Sequence, residues 1–151
     1  MSRTIYFDDI VVGLEFESAA RTIGEADIIT FAGLSGDFNA LHTDAEFAAT
    51  THFGQRVAHG MLIASISTGL RSDLDDFAML AFLNTNRSFS KPVFIGDTVR
   101  IRYRVNSTEP STSGASRGVV RLGLDVVKQD GTITQTGEDT ILVATRPKEN
   151  P

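Results

Sequence analysis

The sequence predicts an α+β fold that forms a single domain over residues 1–151, and two observations carry this prediction. Residues 61–70 form a long apolar segment in which only small or hydroxyl-bearing residues separate the large side chains. Segments rich in β-branched and alternating residues follow it. One apolar helix followed by antiparallel strands is an α+β pattern, and a helix that is apolar on most sides needs a sheet that curves around it.

The composition excludes several classes of protein. The formal net charge of −5 disfavours binding to nucleic acid, which depends on basic patches over phosphate. The chain has no cysteine, so disulfides, thiolate nucleophiles and cysteine-based metal sites are excluded. Its apolar runs are too short to span a membrane, and its first residues do not resemble a signal peptide. We therefore expect a cytoplasmic protein without a membrane partner.

The part of the chain before the apolar segment is predicted to hold an edge strand and two helices. Residues 13–21 alternate weakly, which favours a short strand. Thr22 and Glu25 have the spacing of a capping box, so the first helix is predicted to follow them and to end near Gly33 and Gly36. A second helix is predicted over residues 44–49.

The apolar segment is predicted to be a helix rather than a strand because of its length. The β-rich segments after it are residues 81–89, 98–106, 118–127 and 133–144. Gly96–Asp97 and Asp130–Gly131 have turn composition, and residues 107–116 are polar enough to predict a surface loop. The domain core is thus expected to cover about residues 7–144, followed by a short tail.

Asp37 and His42 are the first candidates for acid–base chemistry. A regular helix would rotate two side chains five positions apart by roughly 140°, so that they would not face each other. Gly36 and Asn39 permit a turn that brings carboxylate and imidazole toward one substrate, where they could act as a base and acid around a water. The alternative is an Asx-turn beside a partly exposed histidine.

Gly60 precedes the apolar helix and is the second candidate. The first N–H groups of a helix lack intrahelical partners and carry partial positive charge, so the Gly60 amide could stabilise a developing enolate oxygen. The alternative is that Gly60 only permits close packing where the helix begins. His59, just before it, is expected to be structural rather than catalytic.

Three blocks of the sequence resemble the MaoC-like dehydratases, which include the (R)-specific enoyl-CoA hydratases. The blocks are SGDFNALHTD at residues 35–44, FGQRVAHGML at 53–62 and SFSKPVFIGDTV at 88–99. The resemblance covers about residues 7–143. It implies a hot-dog fold, in which an antiparallel sheet wraps a central helix, and a homodimer. It also implies that Asp37 and His42 form the catalytic dyad and that Gly60 is the oxyanion donor.

The chain departs from the family pattern at two positions. Ala40 stands where many members have proline, and Thr68 stands where some have serine. Thr68 keeps the hydroxyl, so a supporting hydrogen bond is expected to remain. The candidate substrate-binding residues are Phe38, Asn39, Leu41, Phe53, His59, Thr68 and Leu83.

The resemblance implies a hydratase that adds water to a trans-2-enoyl thioester and gives a (3R)-hydroxyacyl product. The substrate would be an acyl-CoA or acyl-carrier-protein thioester, so that coenzyme A or phosphopantetheine is part of the substrate and no cofactor or metal is expected. The sequence leaves open whether Asp37 or His42 is the base. The rival functions are a hot-dog thioesterase and a non-catalytic acyl-thioester binding or regulatory protein.

Overall fold

The structure is a computed structural model that describes residues 4–112, 114 and 116–148. Its α-helices are α1 Glu25–Ser35, α2 Ala40–Thr43, α3 Ala45–Ala49 and α4 Gly60–Thr68. Its strands are β1 Glu15–Glu17, β2 Arg21–Thr22, β3 Met79–Phe89, β4 Thr98–Pro110, β5 Arg117–Lys128 and β6 Ile133–Ala144. No helix within the described ranges is long and apolar enough to cross a membrane.

The strands form one antiparallel sheet in the order β1-β4-β5-β6-β3, and β2 pairs with β4 on the same side as β1. Side chains of β4 and β5 alternate between the core and the other face, as expected for strands buried on one face. Gly131, at φ 87°, allows the tight turn between β5 and β6. The α+β prediction is confirmed.

Helix α4 packs one face onto this sheet. Leu62, Ile63 and Ala64 are buried and join the core formed by the inward side chains of the central strands. Met61, on another face, is 58% exposed. The helix prediction is therefore confirmed, and Met61, Ser65 and Thr68 leave one side of α4 exposed in the single chain.

Two predicted boundaries are wrong. The capping box does not use Thr22: α1 begins at Glu25 after Gly24, and the Asp27 carboxylate accepts a hydrogen bond from the Gly24 N–H. Strand β4 continues to Pro110 into the predicted loop, because polar residues after a register shift still pair with β5 through their backbone. Polar composition alone could not reveal that pairing.

A buried ion pair joins the edge strand β3 to β6 and to α4. The Arg87 guanidinium donates to the Ser67 and Thr68 hydroxyls and lies 3.4 Å from the Asp139 carboxylate. The Asp139 side chain is fully buried, and this burial raises its pKa, although the hydrogen bond from Thr85 and the charge of Arg87 act in the opposite direction. The positive charge of Arg87 thus compensates the negative charge of the Asp139 carboxylate, which the core could not otherwise hold.

We expect Arg87→Met to lower the free energy of unfolding by about 3–5 kcal/mol, because it leaves Asp139 buried without its cation. The double variant Arg87→Met/Asp139→Leu should lose less of the free energy of unfolding, since it removes both charges. Arg104→Met breaks the exposed pair with Glu15 and should cost less than about 1 kcal/mol. Urea denaturation measures all three, and an Arg87→Met protein as stable as the surface variant would contradict the assignment.

Candidate active site

The loop between α1 and α2 carries Asp37 and His42 toward each other. Gly36 ends α1 in the left-handed region at φ 78°, and this reversal takes the chain out of the helical path. Asn39 then caps α2 by accepting a hydrogen bond from the Leu41 N–H at 2.9 Å. The Asp37 Oδ2 and His42 Nε2 atoms lie 3.9 Å apart as a result. Asp37 lies in the loop and His42 lies on α2, so the rotation of roughly 140° expected within one regular helix does not separate them.

The carboxylate of Asp37 satisfies both interpretations of the motif. Its Oδ1 accepts a hydrogen bond from the Asn39 N–H at 3.2 Å, which is the expected Asx-turn, while Oδ2 faces His42. The Asp37 side chain is 50% exposed, and the His42 side chain only 13%. Two acceptors separated by 3.9 Å can both bond one water at about 2.8 Å. The pair can therefore hold a water between them.

The orientation of His42 fixes its neutral tautomer. His42 Nδ1 lies 2.8 Å from the Val57 carbonyl oxygen. A carbonyl only accepts, so Nδ1 carries the hydrogen and Nε2 keeps its lone pair toward Asp37. Val57 is held in turn, because the adjacent Ala58 N–H donates to the Val93 carbonyl at 2.8 Å. The imidazole thus presents a proton acceptor from a fixed position.

The loop that supplies Val57 is also tied to α1. Arg56 forms a two-pronged ion pair with Glu25, with N–O distances of 2.8 and 2.5 Å. The hydrogen bond from Arg56 lowers the pKa of the Glu25 carboxyl below its usual value. Bidentate geometry fixes direction as well as distance, so this pair sets how α1 approaches the start of α4.

A cavity of about 370 Å³ lies in front of His42 and the first residue of α4. Its walls are His42, His52, Phe53, Val57, Ala58, Gly60, Ile63, Phe89, Ser90, Lys91, Pro92, Val93 and Gln135. No oxygen of the described residues accepts a hydrogen bond from the Gly60 N–H. The amide is therefore available to a ligand in the cavity, at the positive end of the helix.

Gly60 is also sterically restricted, as the packing alternative requires. A Cβ atom built on residue 60 would lie 2.8 Å from Cδ1 of the Phe89 ring. Contacts this short force a neighbour to move, although Phe89 is 53% exposed and has room to do so. The oxyanion and packing interpretations therefore both apply to Gly60, and Gly60→Ala alone cannot separate them.

The structure distributes the predicted substrate-binding residues over five places. Phe53 lines the cavity beside His42, whereas Phe38, Asn39 and Leu41 belong to the loop and helix that carry the dyad. Thr68 lies two helical turns beyond Gly60, in a second cavity with Arg87. Leu83 lies on the edge strand β3 and lines neither cavity, and His59 is 3% exposed and does not line the first one.

The sequence did not single out Gln135 or Phe89. Gln135 lies on β6 and is 2% exposed, and its Nε2 donates to the Gly60 carbonyl at 2.9 Å. This hydrogen bond fastens the first turn of α4 to strand β6 of the sheet. The two residues are 75 positions apart, and a glutamine in a β-rich segment carries no local signal of such a contact.

Asp37, His42 and His59 offer possible metal-ligand atoms that lie within 4.8 Å of one another. The His42 and His59 rings, however, are stacked with centroids 3.8 Å apart and planes at 28°. A metal ion binds in the plane of an imidazole ring. The planes of two stacked rings are close to parallel, so their lone pairs do not converge on one ion. His42 Nδ1 and His59 Nε2 already contact backbone carbonyls. A reaction without a metal stays a prediction that this arrangement favours.

Comparison with known proteins assigns the family. The sequence model of the MaoC-like domain matches residues 11–128. A protein of Rhodospirillum rubrum called (R)-specific enoyl-CoA hydratase is 38% identical over 142 residues, which cover 93% of each chain. The structure of a protein from Archaeoglobus fulgidus, called a monoamine oxidase regulatory protein, superposes with a TM-score of 0.89 at 37% identity and covers 97% of this chain and 99% of that chain.

The fold is confirmed by a more distant structure. A conserved Mycobacterium tuberculosis protein with a double hot-dog fold superposes with a TM-score of 0.84 at 20% identity, covering 98% of this chain and 46% of that one. The antiparallel sheet packed on α4 is therefore a hot-dog fold, as expected. Together with the match over residues 11–128, these similarities show that the chain belongs to the MaoC-like domain family.

Proposed function

We propose that this chain is a hydratase that adds water to a trans-2-enoyl thioester and gives a (3R)-hydroxyacyl thioester. The observation that carries the proposal is the 3.9 Å separation of His42 Nε2 from the Asp37 carboxylate, beside a cavity lined by His42 and by Gly60, whose N–H has no partner among the described residues. The Rhodospirillum rubrum relative, 38% identical, is named for this reaction.

The geometry suggests an order of events. The water lies between Asp37 and His42, and His42 Nε2 takes one of its protons while the oxygen attacks the β-carbon. Asp37 accepts a hydrogen bond from the other O–H and stabilises the imidazolium that forms. The electron pair of the double bond shifts to the bond between the α-carbon and the carbonyl carbon, and the carbonyl pair moves to the oxygen, which the Gly60 N–H stabilises as an enolate. His42 then returns its proton to the α-carbon, so that one water is added in all.

The cavity is lined by two kinds of residue that suit the two parts of the substrate. Lys91 is exposed and has no carboxylate partner among the described residues. A cation there favours the phosphate-bearing arm of coenzyme A or phosphopantetheine. The apolar walls, including Phe53 and Phe89, suit the acyl group. No further cofactor is required for this chemistry.

Asp37→Asn and His42→Ala should each lower kcat by roughly 100- to 10,000-fold, the usual contribution of a general acid or base. Hydration is followed by the loss of the conjugated absorbance of crotonyl-CoA. Glu46→Gln, an exposed carboxylate on α3, is the control and should retain wild-type turnover. Near wild-type activity in either dyad variant would exclude the assignment.

The role of the Gly60 amide requires a pair of substitutions with matched packing. In a Phe89→Ala background, which removes the ring that opposes a Cβ, Gly60→Ala keeps the N–H and Gly60→Pro removes it. Proline is favoured at the first position of a helix, and His59, with ψ 134°, has the backbone that proline requires before it.

We expect the proline variant to have a kcat roughly 100- to 1,000-fold below that of the alanine variant, because one oxyanion donor is lost. Circular dichroism should show equal folding of both. Equal turnover of the two proteins would show that Gly60 serves packing alone.

The edge of the sheet supports a homodimer. Strand β3 pairs with β6 on one side and with no other strand of the described residues. The exposed apolar side chains on and beside it, here called the β3 patch, are Met61, Met79, Leu80, Phe82, Leu83 and Phe89. A long apolar edge is an aggregation hazard unless it is covered. A second copy that pairs edge to edge would continue the sheet and cover the β3 patch.

Leu80→Lys/Leu83→Lys should convert the dimer to a monomer, because charged residues on an edge oppose strand pairing. Light scattering at micromolar concentration gives the mass. Leu34→Lys is the control, since Leu34 is 83% exposed on α1 and lies outside the β3 patch. A wild-type protein that is already monomeric would contradict the proposal.

A further inference from the structure

His59 contacts both members of the candidate dyad. Its Nε2 lies 2.9 Å from the backbone carbonyl oxygen of Asp37. Its ring stacks on that of His42, with centroids 3.8 Å apart and an angle of 28° between the planes. The ring of Phe31, a residue of α1, packs against the His59 ring with a centroid separation of 5.1 Å. One side chain therefore joins the end of α1, the dyad loop and the start of α4.

The contact with Asp37 determines the tautomer of His59. A carbonyl oxygen only accepts, so the hydrogen of the neutral ring lies on Nε2. His42 carries its hydrogen on Nδ1, because that atom faces the Val57 carbonyl. The two stacked rings are thus in opposite tautomers, and each is fixed by a different backbone carbonyl.

Packing alone would favour an apolar residue at position 59. The residue is 3% exposed, and its Nδ1 is buried without a hydrogen-bond partner among the described residues. A buried acceptor without a partner is destabilising, and an aromatic ring without nitrogen would fill the same space without that cost. The feature that a phenylalanine could not supply is the donor to the Asp37 carbonyl.

That donor acts on the backbone of an exposed loop residue. The Asp37 side chain is 50% exposed, and Gly36 before it has the conformational freedom of its left-handed turn. A hydrogen bond from a buried ring to the Asp37 carbonyl restricts the backbone from which the carboxylate extends. The stacked ring restricts the plane of His42 at the same time.

We infer that His59 is a positioning residue, which holds the Asp37 backbone through its Nε2–H and the His42 ring through stacking, and so sets the separation of the dyad. This inference rests on the proposed hydratase function. His59 does not line the cavity beside His42, so this role differs from the substrate-binding role that the sequence suggested. Its loss should lower kcat while KM changes little.

Two substitutions separate the donor from the ring. His59→Phe keeps a stacking ring, removes the donor and removes the unpaired Nδ1. It should melt at or above the wild-type temperature yet lose about 10- to 100-fold in kcat for crotonyl-CoA, the scale of a lost supporting hydrogen bond. His59→Gln keeps a donor near the position of Nε2 but loses the stacking ring, and it should lose less kcat than His59→Phe. Thr50→Val is the control. It removes the hydrogen bond from the Thr50 hydroxyl to the Phe47 carbonyl of α3 and should leave kcat unchanged.

The results that would overturn the inference are distinct. Wild-type kcat in His59→Phe would show that the donor is not needed, and an equal loss in His59→Gln would show that the donor does not restore function. A loss of activity in step with the loss of folded protein would reduce His59 to a packing residue.

A second measurement does not depend on the reaction. Nitrogen-15 NMR of the wild-type full chain distinguishes the two neutral tautomers of each histidine. Hydrogen on Nε2 of His59 and on Nδ1 of His42 supports the contact whichever reaction the chain catalyses, and hydrogen on Nδ1 of His59 overturns it. A wild-type protein that hydrates no enoyl thioester would instead reject the proposed function, so the two failures are separable.

Discussion

The geometry of the site depends on the fixed start of helix α4. The first turn of α4 is anchored from the sheet, because Gln135 donates to the Gly60 carbonyl at 2.9 Å. The preceding residues are anchored to the segment after β3, through the Ala58 N–H and the Val93 carbonyl. A helix terminus that is held from two sides presents its free amide at a constant position, which is what electrostatic stabilisation of a developing charge requires. The carbonyl of Val57 is fixed by the same anchors and orients His42.

The dyad itself is carried by elements with little regular structure of their own. Helix α2 has only four residues, and the loop before it begins with a glycine in the left-handed region. The segment orders its carboxylate partly by its own hydrogen bonds, from the Asn39 N–H to Asp37 and from the Leu41 N–H to Asn39. The side chain of His59 adds a contact from outside the segment. Active sites are generally built in this way: a rigid scaffold positions functional residues that lie on loops.

The sequence was sufficient to predict the architecture because the strongest patterns are local. The alternation in β4 and β5 and the apolar run at α4 identify elements that the hydrophobic core must bury in one way. The end of β4 was missed, because Pro110 and its neighbours pair through their backbone while their side chains remain polar. The start of α1 was missed because Asp27, not Glu25, reaches back to the chain before the helix.

Of the candidate site, the sequence singled out the residues proposed to bear the chemistry, together with His59, but not Gln135 or Phe89. Asp37, His42 and Gly60 stand in short motifs, whereas Gln135 acts across 75 positions and has no pattern of its own. The buried pair of Arg87 and Asp139 is similarly invisible, since each residue alone is typical of a solvent-facing strand position. Contacts between distant segments appear only when the topology is known.

The close approach of the Phe89 ring to Gly60 also constrains how sequences of this kind can diverge. A Cβ at position 60 requires either a shift of the exposed Phe89 ring or a smaller residue at position 89. The contact thus couples two motif blocks of the sequence, at positions 29 residues apart in the chain.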